Sequence, residues 1–123
     1  MKYSLDYDPP APALKVRFNR PLSDHSMELQ VKIDTGADMT VVPERVISGL
    51  RLIPAGRVSV SSFDGREDRR YTYFVNIYLS NFEFSMIEVI GARRSDVLLG
   101  RDVLNLLKAV LDGKDLDFDL FDP

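Results

Sequence analysis

The chain has 123 residues, of which 45% are hydrophobic and 28% are charged, and its formal net charge is −3. This length and composition are those of one globular domain, residues 1–123. The small negative charge gives no reason to expect nucleic acid or an anionic membrane as a partner. There is no cysteine, which excludes disulfides, zinc–thiolate sites and thiol nucleophiles and permits a reducing compartment.

The first residues lack the apolar segment expected of a signal peptide. Asp6 and Asp8 lie where a signal peptide would be apolar. No stretch of the sequence approaches the ~20 apolar residues needed to span a bilayer. We therefore expect a cytoplasmic protein that uses no metal or other cofactor and whose partner is a polypeptide or a small molecule.

The first third of the chain predicts short strands that lead to one aspartate. Residues 3–7 alternate between apolar and polar side chains, which predicts a terminal strand ended by a Pro-Pro pair. The same alternation at 14–18 and 27–33 predicts a hairpin that delivers Asp34 into a turn. His25 lies in the turn of this hairpin, where a solvated loop residue is expected, and we assign it no role.

The middle of the chain predicts a second, longer hairpin. Two alternating arms around Asp64-Gly65 indicate a hairpin over about 58–75, because Asp-Gly is a strong turn signal. Its charged tip is either an ordinary solvated turn or a lid that closes over a ligand. A further strand follows at 82–90.

We expect one helix in the chain. The apolar run 97–99 meets Gly100, and apolar residues then recur with helical spacing, which predicts a buried strand followed by a short helix over about 101–108. Residues 43–47 allow at most a helical turn. The chain then returns to the core at Leu50, Leu52 and Ile53.

The C-terminal residues 108–120 predict a closing hairpin or a terminal strand around Asp112-Gly113. The alternating acids at 115, 117 and 119 do not form a calcium loop, because its sixth position would be Leu120 rather than glycine. In total, six to eight short strands and one helix predict an all-β, barrel-like domain.

Asp34 is the candidate reactive group. Carboxylates are rarely buried without a partner, and Thr35 and Gly36 suit a turn that holds Asp34 and approaches a ligand closely. Without cysteine and with one histidine, thiol, Ser-His-Asp and conventional zinc chemistry have little support. Hydrolysis by carboxylates needs two of them in different protonation states. A two-fold homodimer supplies the second, and the two then share one proton.

Two motifs resemble the retropepsin-like aspartic proteases, including their single-domain bacterial members: Asp34-Thr35-Gly36-Ala37-Asp38 and Leu98-Leu99-Gly100-Arg101-Asp102. The resemblance runs from about Met27 to Leu107. It implies a closed β-barrel with a flap hairpin at 59–73 and one short C-terminal helix. It implies that Asp34 is catalytic, that Thr35 braces the two loops across the dimer, and that Gly36 offers backbone groups to substrate. It also implies an ion pair between Asp38 and Arg101 and chain ends that interleave in a dimer sheet.

The predicted function is therefore an aspartic endopeptidase that acts as a homodimer on polypeptides. Asp34, Thr35 and Gly36 are the predicted catalytic residues, and Leu99, Gly100 and Arg101 are predicted to be structural. The predicted substrate-binding residues are Ala37, Asp38, Met39, Val41, Ser62, Phe63, Asp64, Gly65 and Leu98.

Two alternatives stay open at this point. One is a catalytically weak or inactive peptide-binding or dimerisation module with the same fold. The other is a structural β-domain in which Asp-Thr-Gly is a surface turn, which leaves the second motif unexplained. The flap tip is more charged than the glycine-rich viral flap, so the resemblance does not fix the substrate preference.

Overall fold

The computed structural model describes residues 1–61 and 64–121. The strands are β1 (Ala13–Asn19), β2 (Ser26–Ile33), β3 (Val41–Pro43), β4 (Gly56–Ser61), β5 (Glu67–Leu79), β6 (Phe82–Ala92), β7 (Val97–Leu99), β8 (Lys108–Asp112) and β9 (Asp117–Phe121). The helices are α1 (Glu44–Gly49) and α2 (Arg101–Leu104).

Strand β1 closes the main sheet into a barrel. The sheet has the order β1-β2-β7-β3-β6-β5-β4, and β1 also pairs antiparallel with β5, with Phe18 opposite Ile77. Strands β1, β2, β7, β3, β6 and β5 thus form a closed ring, and β4 is attached outside it to β5. Strands β8 and β9 form a separate hairpin. The predicted closed β-barrel is confirmed, with nine described strands instead of six to eight.

The core fills the barrel because one face of each strand is apolar. Val16 and Phe18 of β1 and Leu29, Val31 and Ile33 of β2 are buried, and their neighbours along each strand are more exposed. Burying one such side chain stabilises the fold by roughly 1.5–3 kcal/mol. These two strands therefore fix the position at which Asp34 leaves the sheet.

The helices differ from the prediction. Helix α1 is a complete short helix that buries Val46, and Pro43 precedes it, where its missing N–H costs nothing. Helix α2 ends at Leu104 instead of about 108, because Leu106 is 53% exposed and adds no buried contact to a further turn. No helix in the described part of the chain is long and apolar enough to span a membrane.

The segment after α1 is buried only in part. Leu50 is fully buried, as predicted, and Leu52 packs against the core. Ile53, which was also predicted to be in the core, is 70% exposed. The backbone at Arg51 has φ 53°, and after this turn Ile53 faces solvent.

The two chain ends pair with each other inside one chain. Residues 3–7 do not form the predicted strand; isolated bridges join Lys2 to Asp117 and Ser4 to Ala11. The Tyr3 N–H donates to the Leu116 carbonyl at 2.9 Å, and its ring packs edge-on against Phe118. The strand predicted at 116–120 is β9, which closes a hairpin with β8. The two ends, expected to find partners only in a dimer, are thus already paired within the chain.

Candidate active site

Asp34 lies where β2 leaves the sheet. Its N–H donates to the Leu99 carbonyl at 3.0 Å, which continues the parallel pairing of β2 with β7. Its carboxylate accepts the Gly36 N–H at 2.9 Å, and its carbonyl accepts the Ala37 N–H at 3.2 Å. The turn thus fixes one carboxylate oxygen of a half-buried side chain.

Gly100 allows the second motif to lie directly against this turn. A Cβ atom at position 100 would lie 2.7 Å from the Met39 carbonyl carbon and 3.0 Å from the Ala37 carbonyl oxygen. These are backbone atoms, so they cannot rotate away as a side chain would. Glycine is therefore required for the close approach of the two segments.

Thr40 and Asp102 join the two motifs through side chains. Thr40 is fully buried; its N–H and hydroxyl donate to the Asp102 carboxylate at 2.9 and 2.8 Å. The Thr40 hydroxyl accepts the Gly100 N–H at 3.1 Å, and the Val103 N–H donates to Asp102 at 2.9 Å. Sequence reasoning assigned no role to Thr40 or Asp102, although a polar residue inside the apolar run 39–42 was an available signal.

Arg101 reaches back over the turn. Its guanidinium forms an ion pair with Asp38 and donates to the Thr35 carbonyl at 3.0 Å. The ion pair that the resemblance implied is thus present within the chain. Both side chains are exposed, with 45% of Arg101 and 84% of Asp38 accessible, so the pair adds little to stability. Its main effect is to orient the backbone beside Asp34.

A cleft of about 360 Å³ separates this turn from β4. Four predicted substrate-binding residues line it: Ala37, Asp38, Met39 and Val41. Gly36, Ile90 and residues 58–61 of β4 complete its described lining. Leu98 pairs with Val41 but is not among the described lining residues, so its contact with substrate stays a prediction.

Val58, Val60 and Ile90 belong to this cleft and were not selected from the sequence. The alternation along β4 was an available signal, because Val58 and Val60 are the half-buried residues of that strand and their neighbours are exposed. Ile90 lies opposite Thr72 on β5 and parallel to Val41 on β3. The described lining therefore combines aliphatic side chains with the polar residues Asp38, Ser59 and Ser61.

Strands β4 and β5 form the hairpin that was predicted as the flap. They pair from Gly56 opposite Thr72 to Ser61 opposite Glu67. Gly65, at φ 79°, lies in its exposed turn with Asp64. Asp64 forms an ion pair with Arg66 at 3.3 Å. The predicted contacts of Ser62 and Phe63 fall outside the described residues.

A second cleft, of about 500 Å³, opens beside Asp34 and Thr35 on the side of the N-terminal segment. Tyr7, Lys32 and Leu111 are among its lining residues. The Lys32 ammonium lies 5.2 Å from the centre of the Tyr7 ring. The Asp34 turn is therefore bordered by open space on two sides, under β4 and against the N-terminal segment.

The closed barrel is the fold of the retropepsin-like aspartic proteases. Residues 22–106 match the family described as gag-polyprotein putative aspartyl protease, and the chain belongs to this family. The matched range contains both motifs. No curated protein sequence is significantly similar to the chain.

Solved structures share the fold at low sequence identity. The EIAV protease complexed with the inhibitor HBY-793 is 20% identical, with a TM-score of 0.62 over 85% of this chain and 92% of that chain. A retropepsin-like aspartic protease from Rickettsia conorii is 16% identical, with a TM-score of 0.53 over 90% of this chain and 94% of that one. The retroviral protease-like domain of Ddi1 from Leishmania major is 16% identical, with a TM-score of 0.53 over 87% and 86%.

Proposed function

We propose that this protein is an aspartic endopeptidase that acts as a homodimer, with Asp34 of each protomer forming the catalytic pair. The observation that carries the proposal is the half-buried Asp34 carboxylate, held by the Gly36 N–H at 2.9 Å in a turn that a segment more than sixty residues later braces. An ordinary surface turn has no need of such bracing.

The second carboxylate is proposed to come from another copy of the chain. Asp38 and Asp102 are the other carboxylates of the two motifs, and both are engaged. Asp38 pairs with Arg101, and Asp102 accepts hydrogen bonds from Thr40 and Val103. A two-fold axis close to Asp34 brings it against its own copy.

The chemistry follows from two carboxyl groups that share one proton. The ionised carboxylate takes a proton from water while the water oxygen bonds to the peptide carbonyl carbon, and the neutral carboxyl protonates the carbonyl oxygen. When the C–N bond breaks, the carboxyl that took the water proton gives it to the amine nitrogen, which leaves, and the other carboxylate takes a proton from a hydroxyl of the diol as the new acid group forms. One carboxyl is again neutral at the end, so the pair turns over without a cofactor.

The substrate is proposed to bind as an extended strand between the turn 36–39 and β4, through backbone hydrogen bonds. The aliphatic lining formed by Met39, Val41, Val58 and Ile90 suits an aliphatic side chain of that strand. Asp64 and Gly65, with Ser62 and Phe63, are proposed to close over the strand. We also propose that it acts in the cytoplasm, a reducing compartment that the absence of cysteine permits.

The test compares wild type, Asp34→Asn and Asp24→Asn on a peptide library between pH ~4 and ~7. Asp24 is exposed in the β1–β2 turn, so its variant is the matched control for the loss of one charge. We expect cleavage by wild type and Asp24→Asn and none by Asp34→Asn. Equal cleavage by all three would contradict the proposal. Peptide binding without cleavage by wild type would indicate the binding module instead.

A further inference from the structure

A groove of about 350 Å³, which we call the outer groove, lies between α1 and β5. Helix α1 contributes Glu44 and Ile47 to one wall, and β5 contributes residues 69–71 and Tyr73 to the other. Tyr73 and Ile47 approach each other over Gly91, because a Cβ atom at Gly91 would lie 3.0 Å from a Tyr73 ring carbon and 3.5 Å from an Ile47 carbon. The bottom of the outer groove is therefore apolar.

The outer groove and the cleft under β4 lie on opposite faces of the same hairpin. Val58 of β4 lines the cleft, and the side chain of Arg57 points to the other face because successive residues of a strand alternate. Arg57 lies opposite Tyr71, and Arg69 is two residues from Tyr71 along β5, so these three side chains share a face. A ligand in the outer groove thus leaves the cleft free.

Two arginines on this outer face have no carboxylate partner within the described residues. Arg57 and Arg69 are both exposed, and neither takes part in an ion pair there, although Glu67 follows on the same face of β5. The Arg57 guanidinium lies 4.7 Å from the centre of the Tyr71 ring and donates to its hydroxyl at 2.7 Å. Because a guanidinium has five N–H donors, this contact positions Arg57 and leaves it donors for an anion.

We infer that the outer groove binds an acidic segment of the polypeptide substrate, with its carboxylates at Arg57 and Arg69. Carboxylates match the planar fork of a guanidinium. An apolar side chain beside them in the segment packs against Tyr73 and Ile47 at the bottom of the groove. This inference rests on the proposed function and adds a second contact, outside the cleft, for the same substrate.

The wall formed by α1 favours a peptide over a nucleic acid. Glu44 on this wall forms only a loose pair with Arg93, at 3.8 Å, and stays exposed. A nucleic acid carries a negative charge at every phosphate, so its backbone would meet Glu44 as well as the arginines. A peptide can instead place its acidic residues at β5 and uncharged ones beside α1. The net charge of −3 also opposes a polyanion.

The topology sets the distance between the acidic segment and the bond that is cut. Strand β4 is the free edge of the main sheet and pairs only with β5, so a substrate passes from the cleft to the outer groove around this edge. Two strands are about 10 Å wide and a sheet with its side chains is about 10 Å thick, so the path of about 20 Å takes about six extended residues. We expect the acidic segment at this separation or a longer one.

Direct binding tests the groove without any need for cleavage. The probe is a short fluorescent peptide in which glutamate alternates with leucine, and fluorescence anisotropy measures its Kd for the full chain carrying Asp34→Asn. Adding Arg69→Glu should raise this Kd by at least about tenfold, because the carboxylates then meet a like charge. Arg69→Lys keeps the charge and should retain most of the binding. Lys15→Glu, the same change on an exposed residue of β1, is the control and should leave the Kd unchanged.

Kinetics test whether the groove acts on the substrate. A peptide that wild type cleaves is extended by two glutamates after a spacer of either about two or about six residues. The longer spacer should lower KM and leave kcat unchanged, because the added contact is the same in the ground state and the transition state. Arg69→Glu should abolish the difference between the two spacers. Circular dichroism checks that each variant is folded.

These results separate the groove from the activity. Equal Kd values for the glutamate peptide and its glutamine counterpart, or a Kd that Arg69→Glu does not change, overturn the acidic-segment site even if the protein cleaves peptides. Binding of a single-stranded oligonucleotide in place of the glutamate peptide overturns it as well. Glutamate-peptide binding that depends on Arg69, in a protein that cleaves nothing, supports the site and contradicts the endopeptidase.

Discussion

The Asp102 carboxylate accepts both the backbone N–H and the hydroxyl of Thr40, at 2.9 and 2.8 Å, across 62 residues of sequence. Both Asp102 oxygens face donors: Oδ2 accepts the Thr40 N–H, and Oδ1 accepts the Thr40 hydroxyl and the Val103 N–H. An ionised carboxylate meets these three donors without conflict, whereas an amide would turn its own NH₂ group towards one of them. This contact links the strand that follows the Asp34 turn to the start of α2.

Thr40→Val is expected to destabilise the fold by about 1–3 kcal/mol, because it leaves the buried Gly100 N–H without its acceptor and removes the hydroxyl that donates to Asp102 Oδ1. Valine has nearly the same shape as threonine, so packing changes little. Thr40→Ser keeps the hydroxyl and is the control. Urea unfolding should place the serine variant much closer to wild type; equal losses for both would show that the hydroxyl contributes little.

Gly100→Ala is expected to prevent stable folding or to cost at least about 3 kcal/mol, because the new Cβ would lie 2.7 Å from a Met39 backbone atom. Gly113→Ala is the matched control, since a Cβ there meets no described atom within 4 Å. Thermal unfolding of the two variants measures the difference. Similar melting temperatures for the two would contradict the close approach at Gly100.

Arg101→Lys is expected to lower kcat/KM by about tenfold to a hundredfold, with a change in stability below about 1 kcal/mol. Lysine cannot bond Asp38 and the Thr35 carbonyl with one planar fork, so the turn beside Asp34 loses its orientation. Arg93→Lys, in an exposed pair with Glu44 at 3.8 Å, should leave activity unchanged. If Arg101→Lys kept the kcat/KM of wild type, the ion pair would have no role in orienting the turn beside Asp34.

Val58→Phe is expected to narrow the cleft under β4 and shift cleavage towards peptides with smaller side chains, since Val58 forms part of its lining. Peptide-library profiles of wild type and variant measure the shift. Leu22→Phe adds the same ring in the β1–β2 turn, where Leu22 is 105% exposed, and should not alter the profile. If the cleavage profile of Val58→Phe were unchanged, substrate side chains would not bind in the cleft under β4.

Tyr7 is expected to lose its proton at a higher pH than an exposed tyrosine. Its burial raises its pKa above the ordinary value of about 10, and the Asp96 carboxylate adds to the rise. The folded chain thus holds this proton more tightly than the unfolded chain. The resulting stabilisation is complete below pH about 10 and is lost as the pH rises through the raised pKa. The tyrosinate absorbance of wild type minus that of Tyr7→Phe measures the midpoint, and a midpoint at or below the ordinary value would contradict this expectation.

Much of the barrel could be predicted because its strands alternate. Val16 and Phe18 of β1 and Leu29, Val31 and Ile33 of β2 show the period of two that a half-buried strand requires. The same rule failed at residues 3–7, where alternation was present but the segment makes only isolated bridges. Local pattern records which residues are apolar, but not whether a partner strand with free backbone groups lies beside them.

The site could be predicted where one motif contains all of its parts, as in the turn that presents Asp34. Thr40 and Asp102 were missed because their roles depend on each other, and nothing in either motif alone shows that a hydroxyl and a carboxylate will meet. The contribution of Val58, Val60 and Ile90 to the cleft likewise depends on how β4 lies over the turn. Both the contact between Thr40 and Asp102 and the position of β4 join residues that are distant in sequence, and they form only when the barrel closes.

The bond between Thr40 and Asp102 also has a consequence for the time at which the site forms during synthesis. The turn with Asp34 leaves the ribosome about sixty residues before the groups that hold it, since its partners lie at 99–103. A nascent chain that lacks this segment contains Asp34 but not the contacts that orient it. The proposed peptide-cleaving activity is therefore expected only in chains that extend past residue 103, and shorter nascent chains on the same message cannot cleave one another.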